Sequence, residues 1–193
     1  MSQLSSTQAG GGQQTPPHKD IRPVLEVGQK APSSNRLPFP NGRLTIVVFL
    51  RYCGDPFAEK NFKTLATLSE EHPEVQFIAV SQSSQEDTDR WIPLVGGTWD
   101  VQVIVDPERN LFTQWGLGTF HTWNVFNPMV LWSTYKLGTT EGIWNRSGKS
   151  GDMWQSSGAF AVDRFGTICW SHLAKSADDM PNFDEALKKL GAK

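Results

Sequence analysis

Cysteine and tyrosine are scarce in this 193-residue chain, at two each. Cys53 and Cys169 stand too far apart, and are too few, for a disulfide scaffold or a cysteine-rich zinc module. The four histidines, His18, His72, His121 and His172, fall into no metal-binding spacing, so neither a metal nor another cofactor is expected. Long apolar runs are also missing. Leu44 to Leu50 is the longest, far short of the ~20 residues that cross a bilayer, and the first residues lack the apolar centre of a signal peptide. The expected address is the cytoplasm, where both thiols stay reduced. Charge of one sign is not in excess: 18 Lys and Arg face 20 Asp and Glu, a net charge of −2. That excludes a nucleic-acid surface and a polybasic membrane patch. What the chain does have is tryptophan, eight in all, seven of them from Trp99 to Trp170.

Residues 1–20 hold one Leu among Ser, Gln, Gly, Thr and Pro, too little apolar surface to offset the entropy of ordering them, and are expected to be a disordered tail. One domain is expected over 21–193, within the usual range of about 50–250 residues. Val24 to Pro40 reads as an extended entry segment. Asn41-Gly42 then turns the chain into Leu44–Leu50, an uncharged β-branched run that suits a buried central strand. Asp55 followed by Pro56 signals a helix start: the carboxylate accepts from free N–H groups, and Pro tolerates the first helical position. Helical spacing continues to His72. Strands follow at Val75–Ser81 and Val101–Val105, helices at Ser84–Ile92 and Asn110–Leu117. Residues 119–157 show no period and form an insertion. Gly158–Val162 and Thr167–His172 flank the turn Asp163-Arg164-Phe165-Gly166 as a hairpin, and a helix capped by Asn182 closes the chain at Leu190. The order is α/β, a central mixed sheet with flanking helices and a Trp-rich insertion before the C-terminal β-hairpin.

The strings VGQKAP, NGRLTIVVFLRYCGDPFAEKNFKTL, VDPERNLFTQWGLG and WQSSGAFAVDRFGTICWSHLAKSADDMP span about residues 24–190. Together they resemble the peroxiredoxin-like branch of the alkyl hydroperoxide reductase/thiol-specific antioxidant (AhpC/TSA) family. The resemblance implies a thioredoxin-like fold. It also implies a redox cysteine at the junction of the first strand and first helix, often with a second cysteine three positions on. Here those two positions hold Asp55 and Ala58. The likeness is closest to fungal members, in which such genes serve small-molecule biosynthesis.

The substitution matters chemically. A peroxidatic cysteine reacts as a thiolate, favoured by the partial positive charge of a helix N-terminus. A carboxylate fits the same anion site but cannot cleave a peroxide O–O bond by becoming a sulfenic acid. Asp55 therefore reads either as an N-cap alone or as an acid/base at the sheet edge where open α/β sheets bind ligands. Cys53 reads as a buried structural thiol, as a displaced redox nucleophile near Arg51, or as the unreactive lining of a ligand pocket. Tyr52, Gln82, Ser83, Ser157 and Ala159 belong to loops and strand ends expected to converge on Asp55. The insertion reads either as a compact aromatic core or as a pocket wall built from His121, Trp123, Asn124, Trp144 and Trp154, with Arg146 as partner for an anionic substrate.

Three functions remain open on these residues: a thiol-independent enzyme acting on a small apolar or aromatic molecule, a one-cysteine oxidoreductase or peroxidase using Cys53 with thioredoxin or glutathione, and a non-catalytic binding module. A homodimer is compatible with each.

Overall fold

The computed structural model describes residues 23–148 and 150–192; the expected N-terminal tail lies outside them. Strands β1 (Leu44–Phe49), β2 (Val75–Ser81), β3 (Val101–Val105), β4 (Gly158–Val162) and β5 (Ile168–Leu173) form one sheet in the order β3-β2-β1-β4-β5. β1 runs parallel to β2, and β2 to β3, whereas β4 is antiparallel to both β1 and β5. The mixed sheet expected from the sequence is therefore present.

The uncharged run of β1 follows from its central place. Ile46 and Val48 point to one core, shared with Phe62, Leu65, Trp91 and Leu187. Val47 and Phe49 point to the other, shared with Phe39, Phe112, Trp115 and Phe160. The first core lies under helices α1 (Pro56–Glu71), α2 (Gln85–Leu94) and α6 (Phe183–Leu190), and the second under α3 (Asn110–Gln114). Ser84 and Asn182 cap α2 and α6 through their side-chain oxygens. Helix α3 is shorter than the expected Asn110–Leu117 because Trp115 leaves the helical region and Gly116 turns the chain at φ 76°.

The insertion, which had no assigned structure, contains α4 (Thr122–Phe126) and α5 (Pro128–Glu141). Val130 and Leu137 dock α5 onto Phe57 at the start of α1, with Ile143 and Ala177 completing a small third core. No helix among the described residues is long and apolar enough to cross a membrane.

Candidate functional site

β1 ends in the centre of the sheet, so the loop Leu50–Asp55 emerges between the end of β2 and the start of α1. Asp55 caps α1 as its sequence signalled. Its backbone is extended, and its Oδ2 accepts from the Ala58 N–H at 2.9 Å. The Arg51 side chain folds back beside it and donates to Oδ1 at 2.8 Å. Both side chains are only 4% exposed. Burial is the stronger influence: it pushes the Asp55 carboxyl up to about 6, against the opposing pull of Arg51 and of the Ala58 and Phe57 N–H groups.

Arg51 is the hub of the junction. One Nη binds Asp55, the other donates to the Met153 carbonyl at 2.7 Å, and its Nε is buried without a protein partner. The guanidinium carbon stands 5.8 Å from the ring centres of both Tyr52 and Phe120, a cation–π arrangement on two sides. The Tyr52 hydroxyl reaches Asn145 at 3.3 Å, and burial raises its pKa, with Asp55 adding to the effect.

Cys53 is buried in the same loop. Its N–H donates to Ser83 Oγ at 2.9 Å, and its sulfur lies 3.6 Å from Ser81 Oγ and 3.7 Å from Thr88 Oγ1. Cys169 sits on β5, with β4 intervening between it and the β1 junction. Both thiols are free. Burial, with Asp163 nearby, raises the Cys169 thiol.

Chain from the insertion lies directly over this loop. Gly148 lies so close to Cys53 that a Cβ there would collide with the Cys53 carbonyl oxygen. The Arg146 N–H donates to the Gly54 carbonyl at 2.8 Å. Residues 150–154 are tied down by side chains of the β2–α2 region. Gln82 and Asp152 exchange two hydrogen bonds of 2.8 Å, Ser83 donates to the Ser150 carbonyl, and the Ser150 hydroxyl binds Asp87. Asp152 also pairs with Arg109 at 2.5 Å.

The sequence-predicted residues thus divide. Arg51, Tyr52, Cys53, Asp55, Gln82 and Ser83 converge. Ser157 and Ala159 are buried at the entry of β4, where Ala159 pairs with Val48. The aromatic wall does not assemble over Asp55. His121 is exposed; Asn124 spends its amide on the His121 N–H and the Lys175 carbonyl. Trp123 and Trp144 face outward, Trp144 against Gly138, and Trp154 packs edge-on against Phe126. Arg146 is engaged with Glu59, at 2.7 and 3.2 Å.

Glu59, one turn into α1, was not singled out from the sequence. Its position four residues after Asp55 is the signal that could have found it. Burial would raise its carboxyl, but hydrogen bonds from Arg146 and Lys63 outweigh that and hold it below the usual range. Ser81, Thr88, Asp152 and Met153 were likewise missed; their roles depend on long-range packing.

A sequence profile of the AhpC/TSA antioxidant enzyme family matches residues 63–176, beginning just after the junction. No curated protein sequence matches the chain. Among solved structures, a peroxiredoxin-like protein from Aquifex aeolicus is similar over 89% of each chain, with 15% identity and a TM-score of 0.59. A Cys-to-Ser variant of peroxiredoxin 6 from Arenicola marina aligns over 86% of this chain and 72% of its own, with 15% identity and a TM-score of 0.61. The yeast mitochondrial 1-Cys peroxiredoxin, whose thiol resolving mechanism runs via glutathione/thioredoxin systems, aligns over 85% and 74%, with 14% identity and a TM-score of 0.55. These likenesses establish the thioredoxin-like fold.

Proposed function

The chain belongs to the AhpC/TSA antioxidant enzyme family, and within it we propose a peroxiredoxin-like protein that works without a peroxidatic thiol. In this reading Asp55 occupies the redox-cysteine position and is the acid/base or polar anchor for a small apolar or aromatic molecule. The observation that carries the reading is the buried Arg51–Asp55 pair at the N-terminus of α1. A carboxyl raised to about 6 populates both protonation states near neutral pH, which suits a group that takes up and returns a proton. Arg51 would hold negative charge developing on the substrate. Access requires residues 150–154 to move aside, and polar ties rather than a buried apolar face hold them. The activity then belongs to small-molecule biosynthesis in the cytoplasm, within one domain spanning 21–193.

Exchange of acidic C–H protons with heavy water, followed by NMR across a panel of small aromatic ketones and acids, tests the role. Wild type is expected to catalyse exchange of at least one compound, and Asp55→Asn to slow it about 100-fold or more. Undiminished exchange in Asp55→Asn and Asp55→Ala would remove the acid/base assignment.

A second reading rests on a different contact. The Ser81 and Thr88 hydroxyls face the Cys53 sulfur and could donate to a thiolate. Cys53 would then take one oxygen from a hydroperoxide, giving a sulfenic acid and an alcohol, and two external thiols from thioredoxin or glutathione would reduce it back with release of water. This reading requires rapid alkylation of Cys53 by iodoacetamide at neutral pH; slow labelling excludes it.

A further inference from the structure

The Arg51 guanidinium carries more N–H donors than its buried acceptors use. Nη1 serves Asp55 at 2.8 Å and Nη2 the Met153 carbonyl at 2.7 Å. Nε, on a side chain only 4% exposed, meets no acceptor among the described residues. A donor on a buried charged group is costly to leave unpaired, and its place on the guanidinium says what kind of acceptor suits it. Nε and Nη2 share one edge of the planar group with their N–H bonds parallel, the fork that grips both oxygens of a carboxylate. The Met153 carbonyl brings at most a single oxygen to that edge, which serves Nη2 and leaves Nε.

The surroundings select among anions. The rings of Tyr52 and Phe120 flank the guanidinium, each 5.8 Å from its carbon. An aromatic or apolar body attached to a carboxylate has these rings to pack on; inorganic phosphate has nothing to offer them. Met153 belongs to the covering chain 150–154, held by Gln82 and Arg109 through Asp152 and by the Phe120 N–H on the Trp154 carbonyl. Withdrawal of that chain takes the Met153 carbonyl off Nη2 and frees both donors of the edge together. A second carboxylate beside Asp55 needs no second cation, because the Asp55 carboxyl, raised to about 6 by burial, can itself hold a proton.

We propose that the Nε–Nη2 edge of Arg51 binds the carboxylate of the substrate, an aromatic or apolar carboxylic acid whose two oxygens replace the Met153 carbonyl. The proposal rests on the reading of Arg51 and Asp55 as the substrate site and adds the class of the substrate. Arg51 then determines specificity, and Asp55 handles the proton.

The test follows the Arg51 Nε–H resonance of the isotope-labelled full chain by NMR, with phenylacetate, its amide phenylacetamide and inorganic phosphate as probes. Phenylacetate should shift the resonance saturably at millimolar concentration, with matching shifts of the Met153 and Trp154 amides. Phenylacetamide should bind about tenfold more weakly or worse, since it lacks the charge and the second oxygen acceptor. Arg51→Lys keeps the charge and loses the fork, and should weaken phenylacetate about tenfold or more. Should that variant fail to fold, the acid and the amide compared on wild type decide alone. No shift with phenylacetate overturns the proposal, as does an equal response to phenylacetamide or to phosphate, or unchanged affinity in a folded Arg51→Lys. The two readings fail separately. Asp55-dependent proton exchange on neutral ketones, in a protein indifferent to phenylacetate, keeps the acid/base role and removes the carboxylate. Phenylacetate binding with exchange undiminished in Asp55→Asn does the reverse.

Discussion

The β1–α1 junction and the α4–α5 segment place their side chains in opposite ways. At the junction, Arg51, Asp55 and Glu59 are charged and buried, and hydrogen bonds to neighbouring chain compensate the loss of water. In α4–α5, Trp123, Trp132 and Tyr135 are apolar and lie in water. Burying an ion pair costs several kcal/mol per ion before its attraction is counted, so such a pair is weak evidence for stability. The two regions are connected: Ile143–Gly148 runs from the end of α5 to the loop that carries Cys53 and Gly54.

Removing Arg51 should break the comparison most. Arg51→Ala leaves the Asp55 carboxylate buried and unpaired and frees the Met153 carbonyl, and a loss of about 3–5 kcal/mol is expected by urea unfolding. A loss under 1 kcal/mol would mean that water already reaches the pair.

pH separates the two buried carboxylates of α1. The folded Asp55 carboxyl, at about 6, lies above its ordinary value of 3.8. The folded state therefore holds the extra proton between those values. The stabilisation by protonated Asp55 is complete below about 3.8 and is lost as pH rises through about 6, a decline of up to about 3 kcal/mol. Glu59 is depressed, so its contribution is present above 4.5 and is lost as pH falls through its lower folded value. Urea midpoints for wild type and Asp55→Asn from pH 4 to 7 should diverge in slope, the variant being flat where wild type falls.

Gly54 tests how tightly the covering chain sits. At φ 145°, with a would-be Cβ 2.6 Å from the Arg146 carbonyl oxygen and close to the Gly148 nitrogen, Gly54→Ala should cost about 1–3 kcal/mol and loosen the chain at Arg146 and Gly148, seen as faster amide exchange there. The smallest effect belongs to the other region: Trp132→Glu, at a side chain 63% exposed, should change stability by no more than about 0.5 kcal/mol.

Much of this contrast was legible beforehand in one region and little in the other. Val75–Ser81, Val101–Val105 and Gly158–Val162 were bounded correctly because each is a short, largely apolar run that ends at turn residues. Asp55-Pro56 announced its own cap. Helix α5 escaped because Met129, Leu131, Trp132 and Tyr135 face water, which erases the apolar period that marks a helix packed on a core. The same aromatics suggested a pocket wall, since composition carries no information about which way a ring points. The Arg51–Asp55 pair was invisible for another reason: it forms across a loop, and its second anchor, Met153, lies 102 positions away in chain without periodicity.

The most direct test of the account is peroxide consumption by wild type beside Cys53→Ser, with hydrogen peroxide and an organic hydroperoxide, and with thioredoxin and glutathione as reductants. The proposed thiol-independent role of Asp55 predicts that both proteins consume peroxide no faster than buffer. Consumption by wild type that disappears in Cys53→Ser would contradict it and make Cys53 the working thiol.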